Sequence, residues 1–180
     1  MLRREIKKNK PLLVFFFLAV GGAGFGMLRD HRPGSSPSAK RAGPETAIER
    51  CVLLHVVDGD TVRVRLDGRE ESVRMLRINT PEREQRGYTE ARDALLGLLK
   101  RREVQLAFEV PRRLERDRYG RVLAYVLADG VNVNLEMVRR GWSRFFTRYG
   151  RGRLDREFET AEREARQQTA GLWSDQGWNR

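Results

Sequence analysis

The sequence predicts an α+β fold, mainly β: a five-stranded β-barrel of OB type with one inserted helix and C-terminal helices, preceded by an N-terminal hydrophobic helix. Five short apolar segments, at residues 51–57, 61–66, 72–78, 103–108 and 122–127, read as strands. One helical stretch, residues 88–100, falls between the third and fourth, with Ala91, Leu95 and Leu98 at helical spacing. A short helix at residues 134–140, closed by Gly141, and a charged amphipathic one at residues 154–168 follow the fifth strand. Short strands interrupted by a single helix, with helices at the C-terminal end, suit a small barrel.

Taken in order, residues 1–10 carry five positive charges and one negative, and residues 11–28 form an uncharged apolar run of 18 residues with four glycines. A run that is apolar on all sides and ends in Gly-rich sequence does not suit a core helix. It is read as a transmembrane anchor at the short edge of a membrane span. The alternative is a cleaved signal, cut among the small residues 19–24, although no clean A-x-A site is present. The cationic flank stays in the cytoplasm, so the expected location is the cell membrane, single-pass, with the rest of the chain outside the cytoplasm. Cleavage would make the protein secreted or periplasmic. Residues 29–47, rich in Pro, Gly, Ser and charge, read as a flexible linker. Residues 48–175 read as the folded domain, expected to be monomeric.

The net charge is +11, and residues 1–47 hold nine Lys/Arg against three Asp/Glu. The remainder holds 27 against 22, so the folded part is basic as well, which suits a polyanionic partner. The single cysteine, Cys51, excludes an intrachain disulfide and heads an apolar strand, where it reads as a packing residue. Neither His31 nor His55 has metal-ligand spacing to another His or Cys, which argues against a zinc site.

Residues 56–82 organise the domain. Val62, Val64 and Leu66 share one face of a strand, and Arg63 and Arg65 the other. Asp67-Gly68 signals a hairpin turn. In the returning strand Arg74 shares a face with Leu76 and Ile78, so a charge sits among residues that should be buried. It needs an anionic partner or a wet cleft. Oxygen ligands stand at both ends of the hairpin: Asp58 and Asp60 at its entry, and Asn79, Thr80 and Glu82 at its exit. Antiparallel pairing puts entry beside exit, so carboxylates and Arg74 can converge.

Three separated stretches, D-G-D-T-V at residues 58–62, R-x-x-x-x-N-T-P-E at residues 74–82 and D-R-Y-G-R-V-L-A-Y-V at residues 117–126, resemble the staphylococcal nuclease (thermonuclease) family. The likeness extends from Val52 to Trp173. It implies the same barrel and a metal-dependent endonuclease hydrolysing DNA or RNA. It also implies a calcium ion bound by Asp60, Asn79 and the Thr80 carbonyl. Arg74 and Arg121 match the phosphate-contacting arginines, and Glu82 matches the glutamate that handles the attacking water. Arg118 and Tyr119 match a phosphate contact and a base contact, and Tyr149 is expected either to stack on a base or to be a rim aromatic. Taken alone, Arg121 is also readable as a solvated charge after the Tyr119-Gly120 turn. Asn79 departs from the pattern: the best-known member carries an aspartate there, so one formal charge is missing from the metal shell. The competing reading is a non-catalytic OB-fold nucleic-acid-binding protein of the cell envelope.

Overall fold

Alternating side chains build the first hairpin. The computed structural model describes residues 48–148, 150–174 and 178. Strand β1 (Ile48–Val56) pairs antiparallel with β2 (Thr61–Leu66), from Val52 opposite Arg65 to Val56 opposite Val62. In β2 the residues Val62, Val64 and Leu66 are buried while Arg63 and Arg65 are exposed. Asp67 and Gly68 both take positive φ, 49° and 77°, as the two central residues of a type I′ turn must. Strand β3 (Arg69–Met75) returns from that turn in antiparallel register, Thr61 opposite Arg74.

The chain then turns at Leu76–Arg77 and makes a two-residue strand, β4 (Ile78–Asn79). Helix α1 (Tyr88–Leu99) buries Ala91, Leu95, Leu98 and Leu99 against the barrel. Strand β5 (Val104–Ala107) pairs with β1, the short β6 (Glu115–Arg116) precedes the long β7 (Val122–Ala128), and β7 pairs antiparallel with β5. The parallel pairing of β3 with β7, Val73 opposite Val122 and Arg74 opposite Leu123, closes the five strands β1, β2, β3, β7 and β5 into a barrel. Closure leaves no free edge among them.

Strand β8 (Val131–Asn132) leads directly into α2 (Val133–Arg139), whose first turn is capped by the Asn132 side chain accepting from Leu135 N–H at 3.1 Å. Asn134, fully buried, accepts from Val126 N–H and donates to the Leu76 carbonyl at 2.8 Å, which ties α2 to the turn after β3. Strand β9 (Arg144–Phe145) pairs with β4, and α3 (Asp155–Gln167) and a 3-10 turn (Gly171–Trp173) complete the C-terminal layer. Gly141 takes φ 73° just past α2, and an added Cβ there would meet the Ala170 carbonyl, so the predicted stop requires glycine.

The third strand keeps its expected length but lies three residues nearer the N-terminus, over Arg69–Met75. It stops at Met75 instead of continuing to Ile78, so Arg74, Leu76 and Ile78 do not share one face; residues 73–78 are all buried. The cause is Arg77, which takes φ 65° and turns its guanidinium inward, 2% exposed. There it meets Glu109 at 3.4 Å, Asp155 at 3.4 Å, the Tyr125 hydroxyl at 3.4 Å and the Gly150 carbonyl. Gly152 leaves the space: a Cβ at that position would overlap the guanidinium. The other boundaries differ from expectation by three residues or fewer. Cys51 is half-buried with its Sγ against the Val104 carbonyl, and burial pushes its thiol up to about 11. The apolar run and linker at residues 1–47, and Tyr149, lie outside the described residues. No helix among the described residues is long and apolar enough to cross a membrane.

Candidate active site

Where the hairpin's entry and exit meet, the backbone gathers donors around one carboxylate. The Asp60 amide donates to Asp58 Oδ1 at 3.0 Å, and Met75 N–H donates to the Asp60 carbonyl at 2.9 Å, which fixes the loop between β1 and β2 against the end of β3. Gly59 lies so close to Thr80 that an added Cβ would stand 2.7 Å from the Thr80 hydroxyl. That approach lets Thr80 N–H reach Asp60 Oδ2 at 3.1 Å. The Thr61 hydroxyl donates to Asp60 Oδ1 at 3.2 Å, and Arg74 pairs with Asp60 Oδ2 at 3.1 Å.

Both members of this pair are buried, Asp60 8% and Arg74 4% exposed. The anionic partner that the buried arginine demands is therefore Asp60. Arg74 also donates to the Met75 and Ile78 carbonyls at 2.6 and 2.9 Å and to Asn79 Oδ1 at 3.4 Å. Burial pushes the Asp60 carboxyl up to about 6; Arg74 opposes the shift and neighbouring Asp58 adds to it. Asn79 is positioned from its other side, since its N–H donates to the buried Ser143 hydroxyl at 2.9 Å.

The second wall is the turn before β7. Asp117 accepts from the amides of Tyr119 and Arg121 at 2.9 and 3.0 Å, and from Arg121 Nε at 2.8 Å. Burial would raise its carboxyl, but the Arg121 side chain and these two amides hold it below its ordinary value. Arg121 is thus oriented from behind. Tyr119 stands out in solvent, 68% exposed, with the Arg118 and Arg121 guanidinium carbons 4.7 and 5.6 Å from its ring centre. Because β3 and β7 pair directly, Arg74 and the turn carrying Arg121 face the same space.

That space is a cleft of about 500 Å³, lined by five arginines (74, 116, 118, 121 and 148) and four acids (Asp58, Asp60, Glu82 and Asp117), with Asn79, Tyr119, Leu123 and Phe146. The fold therefore brings together Asp60, Arg74, Asn79, Glu82, Arg118, Tyr119 and Arg121. Glu82 is exposed, its backbone amide held by Gln85 Oε1 at 2.9 Å. Thr80 is buried behind the cleft and reaches it through Asp60. Tyr149 falls outside the described residues. Sequence reasoning missed Asp117, Ser143, Arg116, Phe146 and Arg148. For Asp117 a signal existed: an aspartate two residues before Tyr119-Gly120 is the residue that closes such a turn with its side chain.

The donors that line the cleft at the hairpin junction are all oxygens: the Asp58 and Asp60 carboxylates and the Asn79 amide oxygen, with Thr80 directly behind Asp60. Such a set fits a hard divalent cation of the calcium class. It is poor in charge. Among the described residues no group of three or more His, Cys, Asp and Glu is placed to hold a metal. Two carboxylates and neutral oxygens leave a share of the cation's charge for another anion to balance.

The chain is similar to proteins of one known family. Residues 72–175 match a family model described as "Staphylococcal nuclease homologue". An "Uncharacterized endonuclease" of Escherichia coli is 36% identical over 124 residues, covering 68% of this chain and 76% of the relative. A "Micrococcal nuclease" of Shigella flexneri is 35% identical over 141 residues, covering 73% and 78%. A "Thermonuclease" of Staphylococcus hyicus is 30% identical over 142 residues, covering 75% and 82%.

Proposed function

The chain belongs to the staphylococcal nuclease family, and from that premise we propose that it is an endonuclease hydrolysing DNA or RNA with calcium, or a similar hard divalent cation, as cofactor. One observation carries this reading: Arg74, Arg121 and Glu82 open on the same cleft as the oxygen donors at Asp60 and Asn79. A protein that only binds nucleic acid needs cations and aromatic rings, but no carboxylate set against a phosphate.

Arg121, oriented by Asp117, and Arg74, held by Asp60, supply guanidinium forks for the non-bridging oxygens of the scissile phosphate, where charge accumulates in the transition state. Glu82 orients a water and takes its proton as the water oxygen bonds to phosphorus and the bond to the leaving oxygen breaks. Asp58, Asp60, Asn79 and the Thr80 carbonyl would hold the cation, which when bound supplies further positive charge at the phosphate. Tyr119 and Arg118 offer an exposed ring and a cation to the neighbouring nucleotide. Full-length protein should degrade DNA or RNA when calcium is supplied and stop when a chelator is added; binding without cleavage would favour the non-catalytic alternative.

The charge-poor donor set has a measurable consequence. Calcium should bind weakly to the free protein and more tightly with a nucleotide bisphosphate present, because each ligand neutralises the other. Asn79→Asp adds a formal charge and should strengthen calcium binding in the free protein by ~1–2 kcal/mol, the scale of one charge in a partly solvated site. Calorimetric titration of calcium into both proteins reads this directly, and equal affinities would place position 79 outside the metal shell. The same titration should weaken below about pH 6, where Asp60 takes up a proton. In the metal-free chain the sign reverses: an acid whose folded pKa is raised favours the fold below its ordinary 3.8, and that contribution is lost as pH rises through about 6.

The apolar run at residues 11–28, with its cationic flank, would hold this domain on the outer face of the cell membrane, residues 29–47 serving as the tether to residues 48–175. Full-length protein should then sediment with membranes and need detergent for release. A mature N-terminus mapped between residues 21 and 29 in soluble extracellular or periplasmic protein would replace the anchor with a cleaved signal.

A further inference from the structure

Residues 82–86, all exposed, join the hairpin's exit to α1, and the first of them is Glu82. Both ends of this loop are fixed. At its start Pro81 is buried, and the Thr80 N–H before it is held by Asp60 Oδ2. At its end Gly87 is buried with φ 88°, and an added Cβ there would stand 2.5 Å from the Leu172 side chain. The Gly87 carbonyl accepts from Ala91 N–H at 2.9 Å as α1 begins.

Fixed ends do not place what lies between them. An exposed loop residue has little packing to confine it, yet a general base must stand within hydrogen-bond reach of the proton it takes. Gln85 supplies the missing constraint. Its N–H donates to the Glu82 carbonyl at 2.8 Å, and Glu82 N–H donates in return to Gln85 Oε1 at 2.9 Å. Both backbone polar groups of Glu82 are therefore satisfied by one residue. The Gln85 carbonyl accepts from Tyr88 N–H at 3.3 Å, so Gln85 closes one turn back onto Glu82 and a second forward onto the first residue of α1. The Tyr88 hydroxyl reaches the Val57 carbonyl at 3.5 Å, which ties this assembly to the loop that carries Asp58. Hydrogen bonds in water add little to global stability, because water competes for both partners. What this ring of bonds does is narrow the positions from which Glu82 projects into the cleft.

We infer that Gln85 is a positioning residue for hydrolysis: it sets the backbone from which the Glu82 carboxylate reaches the attacking water. This rests on the nuclease reading and on Glu82 as the base. It adds that an exposed, neutral side chain governs the chemical step, at a kind of position where substitutions ordinarily change little.

The test measures single-turnover cleavage of single-stranded DNA and RNA decamers with calcium, and substrate Kd with chelator. The proteins are full-length wild type, Gln85→Ala, Gln85→Glu, Glu82→Gln and the double variant Glu82→Gln/Gln85→Ala. Gln85→Ala should slow cleavage about tenfold, as a sub-ångström displacement of a reacting group does, and leave Kd and the thermal midpoint at their wild-type values. Gln85→Glu keeps an acceptor oxygen at the same reach and should restore most of the rate. With Glu82→Gln already present, Gln85→Ala should cost nothing further, because the group it positions is gone. Amide hydrogen exchange reads the same clasp without turnover: the Glu82 N–H should exchange about tenfold faster in Gln85→Ala and at the wild-type rate in Gln85→Glu. A wild-type cleavage rate in Gln85→Ala, or an equal loss with and without Glu82→Gln, would overturn the proposal and leave the nuclease reading intact. Wild-type cleavage by Glu82→Gln would instead remove Glu82 as the base, and the role of Gln85 would fall with it.

Discussion

Arg121→Ala is expected to lower nucleic-acid turnover by ~10²-fold or more, the usual cost of removing one preorganised charge from a transition state. The fold should survive, because the side chain lies at the cleft surface, 27% exposed, and Asp117, itself 3% exposed, loses this ion pair but keeps the Tyr119 and residue-121 backbone amides. Glu82→Gln should be the sharper test: it keeps shape, removes the proton acceptor from an exposed position, and should abolish most of the rate while leaving Kd for substrate nearly intact. Arg74→Ala should be at least as damaging, but it mixes two effects, since Asp60 loses its ion pair and remains buried. Single-turnover kinetics with separately measured binding distinguish the cases, and wild-type turnover in Glu82→Gln would remove that residue from the mechanism.

The second large effect is on stability. Arg77 joins β4 to α3 and to the loop after β5 through Asp155, Glu109, Tyr125 and the Gly150 carbonyl. Arg77→Met should cost about 3–5 kcal/mol, because Asp155 is left buried without this partner, and truncating one partner of a buried pair is worse than never having the pair. Of Asp155's described neighbours only Arg151 would remain within ion-pair range, at 3.6 Å, and its own side chain is 77% exposed. Thermal unfolding should fall by ~10 °C. Adding Asp155→Leu should recover part of the loss, since the orphaned carboxyl is then gone. A midpoint for Arg77→Met equal to wild type would mean that the cluster contributes nothing net.

The barrel was legible because its information is local. Alternation in β2, the Asp67-Gly68 turn and the leucine spacing of α1 each depend on neighbours a few residues apart. Arg74 was legible for a related reason: a charge in an apolar run announces a missing partner. Arg77 escaped because nothing within reach in sequence marks it. Its partners Glu109 and Tyr125 lie 32 and 48 residues away, so the burial that bends the chain at Met75 is a tertiary effect. Asp117 escaped for a different reason. Its neighbours Arg118, Tyr119 and Arg121 carry the chemistry, whereas its own work is to orient them. The β4–β9 pair, two residues on each side, is too short for any periodicity to show.

The parallel seam between β3 and β7 also governs when, during folding, the chain becomes competent. Val73 and Val122 are the partners that shut the barrel, and Arg74 and Arg121 are their immediate neighbours. Parallel pairings at such sequence separation carry a large loop-closure entropy and raise contact order, so they tend to form late and slowly. The β1–β2–β3 meander can assemble from hairpins beforehand, with Asp60 and Arg74 already adjacent. Arg121 joins them only as the seam zips. A newly made or refolding chain therefore acquires half of its charge arrangement early, and the step that confers function is the same step that completes the barrel.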